Sequence, residues 1–102
     1  MYSIQYLPLA KNDIAGIIAY IAATLKAPGA ALDLLDSFDA AISGLREFPY
    51  AHRVYLPLRQ LDGEYRMLPV KNYAVFYVVL EPQRTVEIRR ILYAGMDVGK
   101  TF

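Results

Sequence analysis

Apolar positions change their period along the chain, and the changes mark its elements. Tyr2, Ile4 and Tyr6 alternate with Ser3 and Gln5, the period of a strand with one buried face. Pro8 ends that strand and suits the first turn of a helix. Ile14, Ile17, Ile18, Ile21 and Leu25 then recur at helical spacing in one apolar stripe. Asp13 is expected in the first turn, where the helix dipole favours a carboxylate. Ala27-Pro28-Gly29 breaks the helix. A second stripe, Ala31, Leu34, Leu35, Phe38, Ile42 and Leu45, predicts a second helix, with Asp33, Asp36 and Asp39 off the stripe. Phe48-Pro49 stops it, because a residue before proline avoids the helical region. Two helices across a short break read as an antiparallel hairpin.

Residues 50–63 are mixed, with Pro57 and Asp62-Gly63 as turn signals. Three strands follow. Glu64–Val70 alternates, and Pro69 marks it as an edge or an irregular strand. Tyr73–Leu80 is continuously apolar, which predicts a central strand covered on both faces. Thr85–Tyr93 is the last. Lys71-Asn72 and Glu81-Pro82-Gln83-Arg84 connect them, and the tail from Ala94 to Phe102, with two glycines, is expected to be loose. The order β-α-α-β-β-β predicts one α+β domain over residues 1–102, a helical hairpin packed on a small, mostly antiparallel sheet.

Composition narrows the function classes. With 56% hydrophobic and 21% charged residues the chain can build a core, but 102 residues leave modest stability, which a partner covering apolar surface would raise. Cysteine is missing, which excludes disulfides, thiolate metal sites and cysteine nucleophiles and fits a reducing cytoplasm. The opening residues lack the pattern of a secretory signal, and the apolar run from Ile14 to Leu25 is shorter than the ~20 residues of a membrane span. A cytoplasmic protein without a membrane partner is expected. Formal charge is −2 over residues 1–52 and +3 over residues 53–102. The second half can meet phosphate or an acidic protein, at a cation density below that of an autonomous nucleic-acid binder.

Four segments carry a family resemblance. They are Tyr6-Leu7-Pro8-Leu9-Ala10 leading into Asp13-Ile14 and Ile17–Ile21; Leu45 to Pro49; Tyr65-Arg66-Met67-Leu68 with Val70-Lys71-Asn72-Tyr73-Ala74-Val75-Phe76-Tyr77-Val78-Val79; and Val86-Glu87-Ile88-Arg89-Arg90-Ile91-Leu92-Tyr93. In this order they resemble the RelE/ParE superfamily, toxins of type II toxin–antitoxin pairs, most closely the plasmid-stabilisation or addiction-module group. The resemblance implies a growth-arresting toxin and a cognate antitoxin that wraps it with a helix and often a strand, in a heterotetramer or larger complex. It implies no cofactor and no metal. It leaves two targets: RelE-type members cleave messenger RNA in the ribosome, and ParE-type members block DNA gyrase.

Metal-free RNA cleavage needs a group to activate the 2′-hydroxyl, cations for the phosphorane and an acid for the leaving oxygen. The resemblance assigns these roles to Tyr93, Arg90 and Arg66, with Lys71, Arg89 and Arg53 as RNA or target contacts. Each has a plainer reading. Tyr93 can be a strand-end packing residue. Arg90 can form a structural ion pair, and Arg66 can pair with Glu64 or Glu87. Lys71 can simply solvate a turn. Strand alternation sends Arg89 and Arg90 to opposite faces. The single histidine, His52, has no Asp, Ser or Cys motif beside it and reads as a loop residue. Tyr73, Phe76 and Tyr77 are expected to pack against the helices.

Two positions depart from the nuclease pattern. Ala74 stands where RelE-type relatives commonly carry a phosphate-facing Arg, and Met96 stands where many read a second one. Loss of one such group costs on the order of 10²–10³ in rate. The expected activity is ribosome-dependent messenger RNA cleavage, the commoner one among RelE-labelled relatives; these departures favour the alternatives, a gyrase inhibitor or a decayed toxin that retains only antitoxin binding.

Overall fold

The computed structural model describes residues 1–55 and 63–95. Strand β1 (Ser3–Tyr6) leads into helix α1 (Pro8–Ala19), which continues as a π-helical turn, Tyr20–Thr24. Helix α2 (Pro28–Ser43) closes in a 3-10 turn, Gly44–Arg46. Strands β2 (Arg66–Val70), β3 (Tyr73–Leu80) and β4 (Thr85–Tyr93) follow. The sheet order is β1-β4-β3-β2, with β1 parallel to β4 and the other two pairings antiparallel. The architecture is the expected α+β arrangement, a helical pair and a four-stranded mixed sheet.

Local signals account for the boundaries. Pro8 opens α1 and Pro28 opens α2, each in a first turn where no intrahelical N–H is required. After the π-helical turn, Lys26 takes a left-handed conformation (φ 53°) and the Ala27 N–H donates to the Ile21 carbonyl, a terminal closure that satisfies an end carbonyl. Helix α2 stops at Ser43, before the expected Phe48-Pro49, because the 3-10 turn tightens there and turns Leu45 into the core. Strand β2 starts at Arg66, two residues after the expected Glu64.

The sheet has two covered faces. On the helical face Phe38, Leu34, Ile42 and Leu45 meet Val75, Tyr77, Ile88 and Ile91. Each such side chain contributes about 1.5–3 kcal/mol by leaving water. Ile14, Ile17, Ile18 and Ile21 pack against this core half-buried. Leu25 and Leu35, both expected in the stripes, are exposed instead, at 55% and 40%. On the other face Tyr65, Ala74, Phe76, Val78 and Leu92 form a second cluster. Phe76 therefore packs away from the helices, whereas Tyr73 and Tyr77 pack towards them as expected. Strand β3 is buried from both sides, as its continuous apolar run predicts. Among the described residues no helix is long and apolar enough to cross a membrane.

Candidate functional site

Strand β1 is shorter than the strand it pairs with. Its ladder on β4 ends at Tyr6 opposite Ile88, where the Leu7 N–H donates to the Ile88 carbonyl. Beyond that point the chain turns into α1, and β4 runs on to Tyr93 paired with β3 alone, with no described strand on its other edge. Asp13 fills the first part of the gap. It lies in the second turn of α1, not the first. One carboxylate oxygen accepts from Arg90 Nε at 2.8 Å and from the Ile91 N–H at 2.9 Å, and the other accepts from Arg90 Nη2 at 3.0 Å. The helix thus supplies a side-chain acceptor where a strand would have supplied a carbonyl. The bond to Asp13 raises the Arg90 pKa further, against the burial that lowers it.

Past Asp13 the gap widens into an open cleft of about 700 Å³. Gly16 and Ile17 line it from α1, Tyr20 from the π-helical turn, and Leu92 and Tyr93 from β4. Tyr20 and Tyr93 stand half-exposed, at 55% and 51%. Tyr93 meets Tyr73 edge-on, with ring centroids 5.8 Å apart. A side chain on Gly95 would collide with the Tyr93 ring, so the glycine lets the ring lie over the backbone.

The residues expected to share a catalytic site fall into separate places. Tyr93 and Arg90 border the cleft, and Lys71 is near them: it is exposed and left-handed (φ 53°) in the β2–β3 turn, whose Asn72 carbonyl accepts from the Ala94 N–H. Arg66 is opposite Tyr77, whereas Tyr93 is opposite Tyr73. Four residues of β3 separate the two, roughly 13 Å along the strand. Arg66 bonds Glu64 at 3.1 Å and the His52 carbonyl at 2.8 Å, and its guanidinium covers the Tyr50 ring at 5.0 Å. Arg53 is exposed near Arg66, its carbonyl accepting from the Met67 N–H. His52 contributes backbone to this end, and its ring meets Tyr77 edge-on at 6.5 Å.

Arg89 departs from strict alternation. The β3–β4 register slips between Phe76 and Tyr77, so Phe76 faces Arg90 and Tyr77 faces Ile88, and Arg89 is the extra residue of a bulge. It bonds Glu87 at 2.6 Å and the Tyr65 hydroxyl at 3.3 Å, on the face away from the helices. Arg90, in register with Phe76, is not turned to the opposite face as alternation requires; it reaches the free edge of β4 and Asp13.

Ala74 is 3% exposed in the second cluster, on the face away from the helices, while Tyr93 is in register with Tyr73 of the helical face. Met96 and the tail lie outside the described residues, as does Pro57. Among the described residues no group of three His, Asp or Glu side chains is placed to hold a metal ion. Sequence reading missed Asp13 as a tie across the fold and Gly16 and Tyr20 as cleft residues. A glycine inside a helical stripe was the available signal.

The ParE toxin family, described as the ParE toxin of the type II toxin–antitoxin system parDE, matches residues 4–98. Among solved structures, the chain is similar to the chromosomal ParDE toxin–antitoxin system from P. aeruginosa, at TM-score 0.71 and 18% identity over 91% of this chain and 96% of that one. It is also similar to the isolated E. coli RelE toxin, at TM-score 0.61 and 12% identity over 99% and 94%. The intact E. coli RelBE complex follows at TM-score 0.59 and 14% identity over 94% and 100%. No curated protein sequence matches. A family match over nearly the whole length decides the matter: the chain belongs to the ParE toxin family of type II toxin–antitoxin systems, on a fold it shares with the RelE toxin structures.

Proposed function

We propose that this toxin arrests growth as a protein-binding inhibitor of DNA gyrase and not as a ribonuclease. The observation that carries the reading is the state of its arginines. Arg66, Arg89 and Arg90 each hold a carboxylate of the same chain, Glu64, Glu87 and Asp13 respectively. A phosphorane needs cations that are free to meet developing charge. An arginine already bidentate to Asp13 offers little, because the carboxylate cancels its charge and repels phosphate. Arg66 is also too far along the sheet to act with Tyr93. The ParE family match supports the same branch. The cognate antitoxin is the silencing partner.

The test pairs two readouts. The purified chain is expected to inhibit negative supercoiling by DNA gyrase, and labelled amino acid incorporation is expected to continue in the first minutes after induction. An immediate fall in protein synthesis with cut messenger RNA would overturn the proposal in favour of the nuclease branch. Normal supercoiling with normal growth would identify a toxin that keeps only its antitoxin binding.

A further inference from the structure

The end of the sheet away from the cleft carries a stack of rings and guanidiniums. The Arg84 guanidinium lies 4.6 Å from the centre of the Tyr2 ring. The Tyr2 ring meets the Tyr50 ring edge-on at 6.4 Å, and the Arg66 guanidinium covers Tyr50 from 5.0 Å. The stack bridges the two edges of the sheet, since Tyr2 precedes β1 and Arg66 opens β2. The Tyr2 hydroxyl donates to Glu81 at 3.1 Å, which holds the ring in place. The nine residues of β4, roughly 30 Å of strand, separate Arg84 from the cleft at Tyr93.

Arg84 differs from the arginines of the strands. Its backbone is left-handed (φ 51°), a conformation that glycine takes at lower cost. The fold uses the Arg84 carbonyl, which accepts from the Ser3 N–H, and any residue supplies a carbonyl. The turn itself therefore does not call for arginine. Among the described residues no carboxylate pairs with its guanidinium, whereas Arg66, Arg89 and Arg90 each hold one. A guanidinium stacked on a ring keeps the N–H groups of its rim for a planar acceptor such as a carboxylate.

The rings beside it select the kind of partner. Tyr50 is 50% exposed, and Phe48, two residues before it, is 65% exposed. Aromatic rings in water together with an unpaired arginine make up the composition of a protein-interface centre. A nucleic-acid strand calls for several free cations along its phosphates, and Arg66 in this stack is already engaged by Glu64.

We propose that this end of the sheet is the surface on which the toxin holds its target: a patch of gyrase that presents a carboxylate to Arg84 and an apolar recess to Tyr50 and Phe48. Glu81 and Tyr2 position Arg84, and Arg66 positions Tyr50, so the contact groups are ordered before the partner arrives. The inference rests on gyrase being this toxin's target.

The experiment uses the gyrase holoenzyme and the full chain, and reads inhibition of supercoiling together with direct binding in the absence of DNA. Arg84→Gly suits the left-handed turn, so it is expected to keep or raise the Tm of the parent while raising the concentration for half-inhibition at least tenfold. Arg84→Glu, which brings like charges together, is expected to raise that concentration further. Hydroxyl-radical footprinting of the unaltered chain on gyrase is expected to show Phe48 and Tyr50 protected at least threefold, a readout that stands even if the variants do not fold. Undiminished inhibition by a folded Arg84→Gly, no further loss in a folded Arg84→Glu, or unprotected Phe48 and Tyr50 in a complex that forms overturns the proposal and leaves the gyrase reading intact. Weaker inhibition by Arg84→Gly with unchanged binding in the absence of DNA overturns it in favour of a phosphate contact. Failure of the unaltered chain to bind or inhibit gyrase overturns both.

Discussion

Asp13 and Arg90 join α1 to β4 through two charge-assisted bonds of 2.8 and 3.0 Å, 77 residues apart in sequence. Their side chains are only 14% and 19% exposed, and the same carboxylate takes the Ile91 N–H. One side chain thus ties a sheet edge to a helix and neutralises Arg90.

Removing either partner strands the other in a largely buried place. Asp13→Ala is expected to destabilise the chain by about 2–4 kcal/mol, since it leaves a buried guanidinium unpaired and an N–H without its acceptor. Arg90→Met should cost less, because Asp13 keeps the Ile91 N–H. The double variant should be more stable than the sum of the single losses predicts. Urea midpoints of the four proteins measure this. Strict additivity would mean that the ion pair contributes nothing beyond its separate side chains.

An arginine at position 74, the residue expected of a RelE-type toxin, should not make this chain a nuclease. Ala74 clusters with Tyr65, Phe76 and Leu92 on the face away from the helices, opposite to the face that Tyr93 shares in register with Tyr73. Ala74→Arg would place a guanidinium in an apolar cluster and cost at least about 2 kcal/mol, unless it forces its way out. The expected outcome is a less stable protein with no messenger cleavage in a ribosome-programmed reaction. Cleavage by this variant and not by the parent would show that Ala74 alone separates this chain from the nuclease branch.

The starts of the two helices, the two-faced burial of β3 and the helical pair were legible because each depends on local rules: proline at a helix start, apolar period, turn residues. The candidate site was legible only as a set of residue types. Arg66, Arg90 and Tyr93 are singled out in the sequence by residue type alone, but register decides whether they meet, and register is a long-range property. The bulge at Arg89 inverted an inference from alternation, and no sequence period announces a bulge. Asp13 read as a helix-dipole residue because its partner is 77 positions away.

Tyr77 should control behaviour in alkali. It is fully buried, and its hydroxyl donates to the Pro49 carbonyl at 2.7 Å. Burial pushes its pKa up to about 12, outweighing Arg66 nearby. The unfolded chain releases this proton near pH 10 while the folded chain keeps it, so the Tyr77 contribution to stability is constant below pH 10 and is lost between about 10 and 12. Tyr6, raised by burial as well, acts in the same direction. Tyr77→Phe is expected to cost about 1–2 kcal/mol at pH 7, by leaving the Pro49 carbonyl without its donor, and to flatten the alkaline decline. Thermal midpoints from pH 7 to 12 test both; an unchanged slope in the variant would assign the decline to other groups.

Gly16 should prove costly to the isolated fold. It sits in the interior of α1, exposed, with open space where a Cβ would be, so alanine there creates no clash. Alanine restricts the unfolded backbone and favours the helix by roughly 0.8–1 kcal/mol over glycine. For a chain of this size that gain corresponds to a rise of about 4–8 °C in Tm. A rise identifies a glycine that the stability of the free chain does not need. A fall in Tm would mean instead that α1 depends on Gly16 for its own geometry, and the open space beside it would then be a by-product of the helix path.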